Sequence, residues 1–195
     1  MIKRYDGAKA EKTVASEKLP AGAYVAQIMG AEVAEYDWGS KLIISFDICE
    51  GDYRGFFAAD WKANTNPDRK WRGVYRATIP DEGSEWFDNQ KRTFNGIMYA
   101  LEFSNSGYTF DWDESKLKDL KVGVVFGERE WEYNGNTGWT TECRFLADVD
   151  AVRDGKIKIP QPKALNNNRN NSSGNTATSA SNNVSSALAD DDLPF

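Results

Sequence analysis

The sequence contains no histidine, which removes the commonest general base, proton shuttle and transition-metal ligand at once. It has only two cysteines, Cys49 and Cys143. They lie far apart in apolar-alternating stretches, so neither a CxxC redox pair nor a zinc knuckle can be drawn, and both read as buried free thiols. No apolar run approaches the length needed to cross a bilayer, and Met1 to Lys18 is charged and polar without an apolar run. A cytoplasmic location without membrane contact is therefore the expectation. The acidic run Asp111-Trp112-Asp113-Glu114 has generic spacing and no accompanying His or Lys motif, so it reads as a solvated loop rather than as nuclease carboxylates. No metal, cofactor or enzymatic activity is expected.

What is present is a good supply of core. Apolar residues make up 40% of the 195-residue chain and aromatic residues 13%, enough for one domain to fold without disulfides or metal. The net charge of −6 would repel a polyanion at long range, but its distribution is uneven. Between Arg54 and Arg76 the basic residues Arg54, Lys62, Arg69, Lys70, Arg72 and Arg76 face only Asp60 and Asp68. This is the one clearly basic segment.

Residues 1–18 read as a mobile arm, and Leu19-Pro20-Ala21-Gly22 marks the entry to structure. Apolar residues alternate from Ala23 to Val33 and from Lys41 to Cys49, where Leu42, Ile44, Phe46 and Ile48 share one face; these are strands one and two. The turn Tyr36-Asp37-Trp38-Gly39-Ser40 joins them. After Glu50-Gly51-Asp52, the aromatic stretch Tyr53 to Trp61 reads as a third strand. Trp86, Phe87, Phe94, Ile97, Met98 and Leu101 then recur at helical spacing with Ser84 as N-cap. Lys121 to Tyr133 and Gly138 to Val152 alternate again around Asn134-Gly135, a hairpin signal, and give strands four and five. The order is that of an OB-fold, a mainly β architecture in which a five-stranded partly open barrel carries one helix between strands three and four. The domain is expected to span 19–160.

A protein that binds an unpaired nucleic acid strand without sequence preference needs cations along a groove and aromatic platforms beside them. Arg54, Phe56, Phe57, Trp61, Lys62, Lys70, Trp71, Arg72, Tyr75 and Arg76 interleave the two. The loops that close an OB cleft add Trp38 in the first hairpin and Trp131, Tyr133 and Trp139 around the last. On an alternating strand one of Phe56 and Phe57 must point inward. The stripe Phe94, Ile97, Met98 and Leu101 is core.

Past Pro160 the composition turns to Asn, Ser, Thr and Ala, too apolar-poor to offset ordering entropy. Residues 161–189 are expected to be a disordered linker, spanning roughly 30 Å from Ala164 to Ala189 as a flexible coil. Asp190, Asp191, Asp192, Leu193, Pro194 and Phe195 end the chain. An acidic run closing on a ring and a carboxylate suits insertion into a pocket rimmed by Lys and Arg.

This hexapeptide after a low-complexity linker resembles the C-terminal tip of bacterial single-stranded DNA-binding proteins, and the stretch from Leu19 to Pro160 is similar to a family of bacteriophage-encoded proteins regarded as OB-fold single-stranded DNA-binding proteins. The resemblance implies sequence-independent DNA binding in replication, recombination and repair. Phe195 and Pro194 would be the docking residues for partner enzymes, with Asp190, Asp191 and Asp192 steering. The bacterial housekeeping protein has a shorter domain and forms a homotetramer, so a homo-oligomer stays open here. The same rings would also serve an RNA- or oligosaccharide-binding OB module, and the acidic balance would serve a DNA mimic or adaptor that binds proteins alone.

Overall fold

The computed structural model describes residues 18–165. The arm up to residue 17, the linker from 166 to 189 and the tip Asp190–Phe195 lie outside the described residues. The chain runs β1 (Gly22–Tyr36), β2 (Gly39–Ile48), α1 (Phe56–Ala63), β3 (Val74–Thr78), α2 (Phe87–Ser104), a 3-10 turn (Glu114–Leu117), β4 (Lys121–Tyr133), β5 (Asn136–Ala147) and α3 (Val149–Arg153). The five strands form one antiparallel sheet in the order β3-β2-β1-β4-β5. β1 is the hub, because its first half pairs with β4 while its second half continues along β2. The outermost strands, β3 and β5, face each other across Tyr75 and Cys143.

Alternation explains the inner face. Leu42, Ile44, Phe46 and Ile48 of β2 are all buried, opposite Ala26 and Ile28 of β1 and beside Tyr75 and Ala77 of β3. Val122, Val124 and Phe126 of β4 complete that surface, and α2 closes it with Phe94, Ile97, Ala100 and Leu101 at helical spacing. Register shifts leave Met29 of β1 without a partner on β2 and Arg144 of β5 without one on β4, and such bulges bend the strands that carry them. At the tip of the last hairpin Asn134 and Gly135 both take positive φ, 49° and 78°, the two-residue turn that matches strand twist.

Three expectations are corrected. The third strand is Val74–Thr78, not the stretch from Tyr53 to Trp61, which is a turn followed by α1. Helices therefore sit on both sides of β3 rather than only after it. The N-cap of α2 is Trp86, which makes no side-chain cap hydrogen bond, and the Ser84 hydroxyl instead accepts from the Trp86 N–H at 3.2 Å. The last strand stops at Ala147, where the Asp148 carboxylate accepts from the Ala151 N–H at 2.8 Å and starts α3 as an N-cap.

Past α3 the chain runs back to the sheet. β1 leaves β4 at Phe126, and further along β4 its place is taken by Lys163, whose N–H donates to the Glu128 carbonyl while its own carbonyl accepts from the Glu130 N–H, both at 2.9 Å.

One ion cluster ties the fold across a long sequence distance. Glu50 accepts from Lys121 at 3.0 Å and from Arg153 at 2.6 Å, joining the turn after β2 to β4 and α3. Those hydrogen bonds pull the Glu50 carboxyl from 4.5 down to about 2. A depressed carboxyl stabilises the fold at any pH above its unfolded value, and the contribution is lost as pH falls toward the folded one. Glu50→Gln is therefore expected to unfold more easily than the parent at pH 6 to 7, with the difference in denaturation midpoint shrinking steadily between about pH 4.5 and pH 2. A urea titration of both proteins across that range reads it; a difference that does not change with pH would refute the assignment.

Candidate nucleic-acid interface

The sheet pairing decides which side chains of β2 and β3 face outward. Lys41 lies opposite Thr78, Ile43 opposite Arg76 and Ser45 opposite Val74, and all six alternate with the buried set. Arg76 is exposed at the centre of this strip and has no ion pair or side-chain hydrogen bond among the described residues.

At one end of the strip the β1–β2 turn stacks Trp38 on Tyr36, with ring centroids 5.1 Å apart and planes at 15°. The Lys41 ammonium rides over both, 5.0 Å from the Trp38 ring and 5.6 Å from Tyr36. Trp38 is 60% exposed, so one face of a large ring is open to solvent beside a cation.

At the other end of the same strands Trp71 donates its indole N–H to the Phe46 carbonyl at 3.0 Å and to the Gly73 carbonyl at 3.2 Å. Trp61 tilts against Trp71 at 6.1 Å, and the Arg69 guanidinium lies over the Trp61 ring at 4.5 Å. The platform is held from β2: the Asp47 carboxylate accepts from the N–H groups of Phe57 and Ala58 at 3.0 and 3.2 Å, which anchors the first turn of α1, the helix that carries Trp61. From Lys41 to Phe46 is five residues of strand, so the two aromatic ends lie roughly 17 Å apart.

The remaining sequence candidates divide. Arg54, Lys62 and Lys70 are exposed around α1 and the connection after it. Arg72 is exposed too and pairs with Asp60 at 3.2 Å. Phe56 is half-buried, edge-on to Tyr53 and Phe57. Phe57 and Tyr75 are core, 5% and 6% exposed; Phe57 packs on Phe46 and Phe126, and burial pushes the Tyr75 hydroxyl up to about 12. Neither ring is open to a ligand, which corrects the sequence reading. The pairs Trp131 with Gly138 and Glu130 with Trp139 put Trp131 and Trp139 on opposite faces of the last hairpin. Trp131 lies across Gly138, while Tyr133 and Trp139 are 45% and 39% exposed. One strand of ligand cannot meet all three.

Three contributors were not among the sequence candidates. Tyr36 and Lys41 join Trp38 because a two-residue turn brings positions on both sides of it together, and Arg69 lies over Trp61 although it belongs to the loop after α1. The first signal was in the sequence, since Tyr36 and Lys41 fall on one face once the turn is placed at Asp37-Trp38. The second was not, because it depends on Trp61 being helical.

Both thiols are shifted away from reactivity, with burial raising Cys49 and Cys143 alike. Among the described residues no helix is long and apolar enough to cross a membrane. Comparison with protein-family models and with curated proteins gave no match.

Proposed function

We propose that this chain binds single-stranded DNA without sequence preference and, through its C-terminal hexapeptide, recruits proteins of replication, recombination or repair. The observation that supports this best is the strip on β2 and β3: Arg76, a cation without an ion pair among the described residues, lies between two aromatic ends that each carry a cation of their own. A single strand offers base faces to the rings and phosphates to Lys41, Arg69 and Arg76. The sheet order, with β1 shared between β2 and β4 and with β3 approaching β5, suits a five-stranded OB barrel, whose ligands lie on strands two and three. By this reading the protein protects a few nucleotides per barrel and breaks no bond.

Titration of the full chain with oligo-dT of increasing length, followed by tryptophan fluorescence at two salt concentrations, tests it. Quenching that saturates, weakens with salt and exceeds that given by poly-U or duplex DNA is expected. Absence of quenching at low ionic strength would leave the protein-binding adaptor reading in its place, and a preference for poly-U the RNA-binding one. Deletion of Asp190–Phe195 is expected to leave DNA affinity equal or higher, because the acids no longer compete for the basic strip.

A further inference from the structure

A second aromatic surface lies apart from this strip and carries the opposite charge. Trp112 is 66% exposed and sits at φ 66°, a left-handed conformation that costs a non-glycine residue about 1–2 kcal/mol. Its ring stacks on the buried Phe94 at 5.7 Å and 6° and meets Phe110 edge-on, which leaves its other face open. With Val33, Leu42, Ile79 and Phe110 it walls an open cleft of about 50 Å³. A water needs about 10–15 Å³ of such space, so the cleft takes the end of one aliphatic side chain.

Among the described residues around the cleft, acids outnumber bases. Glu114 lines the cleft, and Asp111 and Asp113 flank Trp112 and share the single cation Lys116. Exposed Glu35 alternates onto the Val33 face of β1. Beyond Ile79 the chain reaches Asp81, tied to α2 by Gln90 one turn before Phe94. From there to Phe94 it exposes Asp81, Glu82, Glu85 and Asp88 against Lys91 and Arg92. A phosphate backbone is repelled here, whereas a cation gains from both the carboxylates and the open indole face.

We infer that this cleft docks a basic segment of a partner protein bearing one bulky aliphatic side chain. The aliphatic group fills the cleft behind Trp112, an adjacent Arg or Lys stacks on the indole, and further cations pair with Glu82, Glu85 and Glu114. The cleft lies on the opposite face of β2 from the nucleic acid strip.

Fluorescence anisotropy of a labelled peptide of three Arg-Arg-Leu repeats, added to the full chain at low salt, tests it. Binding is expected to weaken about tenfold or more in Trp112→Ala and in the Glu82→Lys, Glu85→Lys double variant, to recover in Trp112→Phe, and to weaken when Gly replaces each Leu of the peptide. It is expected to persist in the chain lacking Asp190–Phe195 and in the presence of saturating oligo-dT. Glu82 and Glu85 are exposed, so their reversal reads the site even if Trp112→Ala melts early. Loss of binding on removing the hexapeptide, or unchanged binding in the charge-reversed variant, overturns the proposal. So does a Trp112→Ala protein, folded by its thermal melt, that loses oligo-dT affinity as strongly as peptide affinity.

Discussion

Truncating Phe46 to alanine is expected to lower the unfolding free energy by about 3–5 kcal/mol, enough to bring an ordinary domain with about 5–15 kcal/mol in hand close to its limit. The ring is fully buried and meets Phe57 and Phe126 edge-on at 5.8 and 6.2 Å, so its loss opens a cavity where β2, α1 and β4 converge. Relaxation has little room, because the Phe46 backbone is pinned on both sides: its N–H donates to the Gly73 carbonyl at 2.8 Å and its carbonyl accepts from Trp71. A Cβ on Gly73 would stand 2.3 Å from that carbonyl, so β3 cannot slide in to fill the space. Urea unfolding followed by far-ultraviolet circular dichroism reads the effect. A loss under about 1 kcal/mol would mean that these rings do not share one core.

The second large effect falls on binding. Trp38→Ala removes a ring that is 60% exposed and contributes nothing to the core, so its stability effect is expected to stay within about 0.5 kcal/mol. Loss of a stacking platform costs about 1–3 kcal/mol per base, which converts to roughly 5- to 150-fold weaker oligo-dT binding at 1.4 kcal/mol per decade. Arg76→Glu, on the same strip, is expected to reduce the dependence of log K on log salt by about 0.7 for each phosphate that the strip no longer neutralises. The two variants thus separate stacking from charge: the first lowers affinity with the salt slope kept, the second lowers both. Equal affinity for parent and both variants would move any DNA site off β2 and β3.

Part of the sheet could be read in advance because β2 is two-sided, although residues 122–127 of β4 are buried on both faces. Leu42, Ile44, Phe46 and Ile48 fall at every second position, between Lys41, Ile43, Ser45 and Asp47, and Asn134-Gly135 names its own turn. α1 could not be read that way. Phe56, Phe57 and Trp61 carry strand propensity, and a propensity is overruled when tertiary contacts oppose it. Gly55, at φ 73°, ends any extended run, and the carboxylate that starts the helix belongs to Asp47, ten residues upstream of Phe57. β3 was hidden for the opposite reason. Its five residues are too short to stand out beside Arg72 and Arg76, although Val74, Tyr75, Arg76, Ala77 and Thr78 alternate correctly once seen.

The same substitution of helix for strand explains the candidate site. Moving Phe57 and Tyr75 into the core removes two proposed platforms, while winding the chain at Trp61 brings Arg69 onto its face. Composition singled out the segment, and only the fold assigned its side chains. At the last hairpin the sequence placed three rings around the turn, but all three lie on the strands, and alternation sends Trp131 and Trp139 to opposite sides.

The return of the chain to β4 at Lys163 also has a colloidal meaning. Beyond Phe126, β4 has lost β1, and a strand with bare N–H and C=O groups along one side is a template for sticking to another copy. Lys163 occupies those groups at Glu128 and Glu130, and Leu165 adds a hydrogen bond to the Glu130 carboxylate at 3.0 Å. A chain trimmed at Pro160 would keep every strand of the sheet and still gain an adhesive margin, so the last residues before the tail serve solubility as much as shape.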